Sequence, residues 1–255
     1  MSEADGNVQS VTRIFNIIEV LSTHSKGMTL QAIATKTSLA KSTAHRLLAS
    51  LIAQGIVVQD SFSSAYRLTL KLYELSSRVV NDMDIISIAR GHLDRLARHT
   101  GEAVHLVIPD GADIVYVYKA EAQSGNMRMS SHVGLRIPMY CTGVGKAILS
   151  CLPTAQVERI WKKSEIKKLT PHTITDLAVL QTQLDTILQT GYAIDDEENE
   201  LGIRCVAVPL GSGDGRCEAA FSISGLAPQM DDTRISEIAV MALKTKLDIL
   251  RDLGK

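Results

Sequence analysis

The stretch Thr29 to Gly55, TLQAIATKTSLAKSTAHRLLASLIAQG, constrains this chain more than any other segment. Its spacing predicts two short helices at a turn. In the second helix Ala44, Leu47, Leu48 and Leu51 fall on one apolar stripe. Ser42, His45, Arg46 and Ala49 share the opposite face, flanked at the N-terminal end by Lys41 and Thr43. Short hydroxyls, a guanidinium fork and an imidazole are side chains that donate to base edges and phosphate oxygens in a major groove. The helix N-terminus adds backbone N–H donors and the positive end of the dipole. An ordinary surface helix also has one apolar and one polar face, so the flanking segments decide.

Upstream, Val11, Ile14, Phe15, Ile18 and Leu21 form an amphipathic helix able to pack on the pair. Downstream, Ile56 to Asp60 and Ala65 to Leu70 read as two strands about the Ser-rich turn Ser61 to Ser64. Three helices followed by a hairpin predict a winged helix-turn-helix that reads duplex DNA, with Arg67 able to reach a phosphate or the minor groove.

The chain has 255 residues, enough for two modest domains, and its 45% hydrophobic and 22% charged content is that of an ordinary globular protein. No window approaches the roughly 18 uninterrupted apolar residues of a membrane span. The N-terminus MSEADGNVQS lacks the basic and apolar regions of a signal peptide, so a cytoplasmic location is expected. A net charge of −1 argues against a nucleic-acid coat protein. Residues 1–70 hold six Lys and Arg against four Asp and Glu, and the remainder 21 against 24. A head with so few cations grips one site weakly, because phosphate neutralisation supplies most non-specific affinity. Dimerisation is therefore expected. The four cysteines, at 141, 151, 205 and 217, have no C-x-x-C spacing and suggest neither zinc nor a redox dithiol. Cys151 and Cys217 are read as small buried apolar residues.

A linker is placed at about 70–84, with a helical stripe of Leu72, Leu75 and Val79. Asp84 can cap a second helix whose Ile85, Ile88, Ala89, Leu93 and Leu96 point inward. Beyond Gly101, strands are expected at 103–108, 114–118, 127–133, 192–194, 203–210 and 218–224. Helices are expected at 143–151, 154–163, 177–190 and 231–250, and a hairpin turn at 211–215. The fold class is α+β: a winged helix-turn-helix over 8–70, a linker helix over 71–84, and a mostly antiparallel sheet with helices over 85–254.

Two glycine-rich stretches fail as nucleotide motifs. Cys141 to Ala147 contains a Gly-Lys, but Tyr140 and Ala147 stand where a P-loop needs glycine and Ser/Thr. The 211–215 run joins two strands, not a strand and a helix. Gly143 and Gly145 still open a helix, either to let backbone N–H groups approach a small anion or to permit close packing. Residues 195–200 hold five acids in six positions, most of them expected in solvent, with a metal site or a hydrogen-bonding loop over a cavity as the less favoured reading. Ser222 and Ser224 alternate on a strand and share a face. No Ser–His–Asp or Cys–His order compels a nucleophile, although the fold could bring His105 near Cys141 or Cys205.

Together KSTAHRLLASL, GLRIPMYCTGVGKAIL, GYAIDDEENELGIRCVAVPL and AAFSISG resemble the IclR family of bacterial transcriptional regulators, from about Val8 to Leu250. RLTLKLYEL and NMRMSSHVGLRIPMYCTGVGK are most similar to its KdgR-like branch. The resemblance implies dimers that pair through the heads, often assembled as dimers of dimers, on a palindromic operator. It also implies a small carboxylate or sugar-acid effector and, commonly, repression. By position, the effector pocket would use Met129, Ile137, Gly143, Val144, Asp195, Cys205, Ser222 and Ser224. Met129 and Ile137 would form an apolar wall, and the N–H groups near Gly143 and Val144 would hold a carboxylate. Ser222, Ser224 and Asp195 would read hydroxyl or carbonyl groups, and Cys205 would add an uncharged surface. Ser38 stands where the family has a turn glycine, and Ala40 where a capping Ser is usual, a loss of about 1 kcal/mol.

The expectation is a ligand-responsive regulator with no cofactor, no metal ligand set and no catalytic residue. Lys41, Thr43, Arg46 and Arg67 would meet phosphates, and Ser42 and His45 base edges. Activation in place of repression, or an enzyme acting on a small sugar acid, are the alternatives.

Overall fold

The structure, a computed structural model, describes residues 8–81, 84–121, 131–211 and 217–254. Contacts divide the chain between Val80 and Asn81 into two compact units.

In the first unit α1 (Gln9–Ser22), α2 (Leu30–Lys36) and α3 (Lys41–Ala53) precede a hairpin of β1 (Val57–Gln59) and β2 (Tyr66–Leu68), and α4 (Lys71–Asn81) follows. Ile17 and Leu21 of α1, Ile33 of α2, and Leu47, Leu48 and Leu51 of α3 bury together with Val57 and Tyr66. Thr29 caps α2 by accepting from the Ala32 N–H. Ala40 leaves α3 without a side-chain cap, and Ser38 carries a positive φ of 54°, a conformation unusual outside glycine. Both features match the expectation drawn from residues 38 and 40.

The second unit is built on a six-stranded antiparallel sheet, ordered β5-β4-β3-β8-β7-β6. Its strands are β3 (Ala103–Asp110), β4 (Asp113–Ala120), β5 (Arg136–Pro138), β6 (Ala193–Asp196), β7 (Ile203–Gly211) and β8 (Cys217–Leu226). The strand expected over 127–133 lies mostly outside the described residues. Positions 131–133 are not strand, and the short edge strand falls instead at β5, where Ile137 pairs with Ile114. The turn expected at 211–215 also lies outside the described residues from 212 onward.

Strand alternation assigns the two faces. Val104, Leu106, Val206, Val208, Phe221 and Ile223 point to one side, where α5 (Asp84–Thr100) and α9 (Asp232–Asp252) bury Ala89, Leu93, Ile235, Ile238 and Ala242 against them. Val107, Ala207 and Ala220 point to the other side, covered by α6 (Gly143–Ser150) and α8 (Leu177–Thr190), with α7 (Thr154–Lys163) adding Val157. Asp176 caps α8 and Gly191 ends it in the left-handed region at φ 82°. Among the described residues no helix is long and apolar enough to cross a membrane.

Candidate functional site

In the first unit α3 has the two faces its sequence demands. Ala44, Leu47, Leu48 and Leu51 are buried, while Lys41, Ser42, His45, Arg46 and Ala49 are exposed and Thr43 is half-buried. Arg67 is exposed on β2. The turn between β1 and β2 is braced by Asp60, whose Oδ1 accepts from the N–H groups of Phe62 and Ser63 and from the Ser63 hydroxyl at 2.8–3.1 Å. Those bonds hold the Asp60 carboxyl below the usual carboxylate range. At its tip Phe62 is 99% exposed, and nothing in the hydrophobic patterning flagged it.

In the second unit the register builds a polar floor. Ser224 lies opposite Cys205, and Cys205 opposite Asp195, so these three form a row across β8, β7 and β6. A parallel row runs His105, Ser222, Ala207, Ala193. The small Ala207 lets the start of α6 come down on the sheet. A Cβ on Gly143 would stand 3.3 Å from the Cβ atoms of both Ala207 and Asp195, a tight contact that a neighbour could relieve only by giving a few tenths of an ångström. A Cβ on Gly145 would lie 2.2 Å from the Met139 carbonyl oxygen. The two readings of this glycine pair therefore divide: Gly145 is a packing glycine and Gly143 borders the cavity.

That cavity encloses about 40 Å³, and its lining includes Ile137, Gly143, Val144, Asp195, Cys205, Ser222 and Ser224. Met129, the remaining candidate, lies outside the described residues. Also lining it are His105, Tyr116, Ser131, Thr142 and Asn199, which the sequence reading did not assign to a site. The signal for His105 was strand alternation, which puts it on the same face as Ser222. Its Nε2 meets Ser131 Oγ at 2.9 Å, its Nδ1 meets Ser224 Oγ at 3.4 Å, and its ring stands edge-on to Tyr116 at 5.4 Å. Burial, reinforced by the charge of Lys119, pushes the imidazole down to about 3, so the ring is neutral at physiological pH. Burial pushes the Cys205 thiol far up, leaving it uncharged.

Thr142 caps α6 by accepting from the Gly145 N–H at 3.0 Å. The N–H groups of Gly143 and Val144, in the first turn, have no intrahelical acceptor and lie at the cavity wall. Among the described residues no Lys or Arg lines the cavity. The described lining would offer an anion backbone N–H and hydroxyl dipoles.

The acidic run departs from expectation at two of its five acids, while Asp196 and Glu200 are exposed and Glu197 is half-buried. Most of its side chains were expected in solvent, yet Asp195 and Glu198 are 5% and 3% exposed. Glu198 forms an ion pair with Lys146 of α6, itself fully buried, and the Lys146 ammonium also donates to Gln183 Oε1 at 2.7 Å. Asp195 Oδ1 accepts from the Glu198 N–H at 2.9 Å, closing the loop over the cavity. Thr170 and Thr173 donate to the carbonyls of Glu197 and Glu198. Burial first, and then the Glu198 charge, push the Asp195 carboxyl up to about 7 against the opposing pull of Lys146. The hydrogen-bonding loop is thus the reading the fold adopts, and among the described residues no group of three His, Cys, Asp or Glu is arranged to hold a metal. Lys146 and Glu198 were missed because a lysine inside TGVGKAIL is indistinguishable in sequence from one that reaches solvent.

Comparison with known proteins agrees with this architecture. The family described as "Bacterial transcriptional regulator IclR C-terminal" matches residues 77–251, and "IclR helix-turn-helix domain" matches 10–61. The chain is 34% identical over 247 residues to the HTH-type transcriptional regulator XynR of Escherichia coli, covering 97% of this chain and 98% of that protein. It is also 34% identical over 235 residues to the E. coli HTH-type transcriptional regulator KdgR, covering 92% and 89%. The crystal structure of Thermotoga maritima IclR superposes with a TM-score of 0.83 at 33% identity, covering 98% of this chain and 100% of that one. The chain belongs to the IclR family of DNA-binding transcriptional regulators.

Proposed function

We propose that this regulator represses a catabolic operon for a small carboxylate or sugar acid, and that the acid changes operator affinity from the α6 cavity. The observation that carries the reading is the combination of an exposed Lys41, Ser42, His45 and Arg46 face on α3 with a cavity at the N-terminus of α6 lined, among the described residues, by backbone N–H groups and hydroxyls. Lys41, Thr43, Arg46 and Arg67 would meet phosphates, and Ser42 and His45 base edges. Phe62 would pack apolar surface against a sugar or base step at the minor groove. Ile137 would form an apolar wall, Gly143 and Val144 N–H groups would hold the carboxylate, and Ser222, Ser224 and Asp195 would read its hydroxyl or carbonyl groups, with Cys205 as a neutral lining.

The protein would act in the cytoplasm as a homodimer, or a dimer of dimers, on a palindromic operator. Support comes from apolar side chains left exposed on two helices of the head: Val11 and Phe15 on α1, and Tyr73, Leu75 and Val79 on α4. Two half-sites read together recover the affinity that six cations in one head cannot provide. The cavity is suited to binding and not to turnover, since both His105 nitrogens meet serine hydroxyls and among the described residues no carboxylate is hydrogen-bonded to the ring to make it a base.

Fluorescence anisotropy on operator fragments, with and without sugar acids and simple keto acids, tests the reading. Arg46→Ala should weaken operator binding by about 5- to 150-fold, corresponding to about 1–3 kcal/mol, and flatten the salt slope by about one unit. Phe62→Ser should weaken binding while leaving the salt slope unchanged. Equal affinity of the native chain for operator and scrambled duplex, with every acid inert, would overturn the proposal.

A further inference from the structure

Among the described residues two buried side-chain polar atoms have no hydrogen-bond partner, Glu198 Oε2 and Arg204 Nε. Both residues line one groove, and neither lines the α6 cavity. The groove, of about 340 Å³, lies between α8 and the edge strand β6. Gln183, Thr186 and Thr190 stand on its helix side, and Tyr192 and Asp196 on its strand side. That volume is in the range of small-molecule sites. A folded chain rarely leaves one such atom unmet, and two at one groove point to a partner from outside the chain.

The bonds already made around each atom define that partner. Glu198 Oε1 pairs with the Lys146 ammonium, so the carboxylate charge is matched and Oε2 needs only a donor. Arg204 Nε stands 2.7 Å from Asp196 Oδ1 as an ion pair, with its N–H not aligned on the carboxylate. The other two guanidinium nitrogens donate to the Met230 carbonyl and to Asp232. Nε therefore needs an acceptor.

An ammonium ligand would satisfy Oε2 alone and would stand beside Lys146. A carboxylate would satisfy Nε alone and would face Asp196 and Glu198. A hydroxyl both donates and accepts, and it brings no charge. The rest of the lining suits hydroxyls as well. Thr186 and Thr190 donate their own hydrogens to the carbonyls of Thr182 and Thr186, which leaves their lone pairs to accept. Gln183 accepts from Lys146 through Oε1, and its amide nitrogen adds donors. The Tyr192 ring offers a flat apolar face for the C–H side of a sugar.

We propose that the groove between α8 and β6 binds a neutral polyhydroxylated molecule, a monosaccharide or sugar alcohol. Its hydroxyls donate to Glu198 Oε2 and accept from Arg204 Nε. Both atoms are covered, so entry turns aside the exposed side chains of Asp196 and Thr190 at the rim. The site is separate from the α6 cavity yet shares a wall with it. Asp195 lines the cavity, Glu198 lines the groove, and the Glu198 N–H joins them by donating to Asp195 Oδ1.

Saturation-transfer NMR and calorimetry on the full-length chain, with glucose, xylose and mannitol as probes, should detect millimolar binding of at least one. Thr186→Phe fills the groove from an exposed position of α8 and should weaken that binding by about tenfold. Glu198→Gln keeps the shape and an acceptor for Lys146 but replaces the charged acceptor, and should also cost about tenfold. Ser222→Ala alters the α6 cavity and should leave sugar binding unchanged, so the fate of the acid-binding reading does not decide this one. Because Thr186 is outside the core, its variant tests the site even where Glu198→Gln fails to fold. Binding that survives Thr186→Phe, or that is lost in Ser222→Ala, would place the sugar elsewhere and overturn the proposal. Silence of all three polyols, or binding of ethanolamine or acetate in the groove in their place, would overturn it too.

Discussion

Replacing Lys146 with methionine will destabilise the second unit by about 3–5 kcal/mol, the usual cost of stranding a buried partner charge. The reason is geometric. The side chains of Lys146 and its ion-pair partner Glu198 are 0% and 5% exposed, and Glu198 Oε2 lacks a hydrogen-bond partner among the described residues. Without the ammonium, Glu198 must take up a proton or leave a bare charge among apolar atoms. Thermal unfolding followed by circular dichroism should show a midpoint lowered by on the order of 10 °C. Lys146→Met with Glu198→Leu should recover most of that loss, because an apolar pair of similar volume often replaces a buried ion pair without penalty. A single variant within about 1 kcal/mol of the native chain would mean that the pair is solvated.

Carboxylate binding should weaken as pH rises through about 7, and Asp195→Asn should abolish that dependence. Below that point Asp195 is a neutral acid that donates to an arriving carboxylate. Above it, two anions face each other across the α6 N-terminus with Glu198 and Glu200 adding to the repulsion and Lys146 engaged by Glu198. Uptake of one proton on binding corresponds to about tenfold in affinity per pH unit in the upper range. The neutral ring of His105 does not titrate there, because its folded value is depressed to about 3. Calorimetry with one acid that shifts the thermal midpoint would read this directly, and a flat profile between pH 6 and 9 would refute it.

Stability carries the same sign. An unfolded aspartate ionises near 3.9 and the folded one only near 7, so each pH unit between those values favours the unfolded state at this position. The midpoint of Asp195→Asn should therefore gain on that of the native chain from pH 4 to 7 and then hold level.

How far the residues alone could be read follows from what each pattern physically encodes. The α3 faces were legible because burial at Ala44, Leu47, Leu48 and Leu51 follows helical period, and the β8 serines because strand alternation fixes a face. The α6 N-terminus was legible as a pair of options, and only the approach of Met139 and Asp195 separates Gly145 from Gly143. Burial of a charge is a property of three elements meeting, which no local window contains. Lys146, Asp195 and Glu198 come from α6, β6 and the loop after it, so the acidic run read as solvated. The same holds for Cys151, read as a buried apolar residue and yet only half-buried at the C-terminal end of α6.

The order of the sheet has a consequence for how the regulator is made. β3 and β8 pair at its centre although His105 and Ser222 are 117 positions apart, joining one hairpin of β3 and β4 to another of β7 and β8. That seam carries the largest loop-closure cost in the sheet. The cavity straddles it, with His105 on one bank and Ser222, Ser224 and Cys205 on the other, so it exists only after the seam has zipped. A metabolite held there adds its binding energy to the assembled form alone. In a growing cell the abundance of intact regulator would then track any small molecule that this cavity holds, a feedback on protein lifetime that operates before any operator is touched.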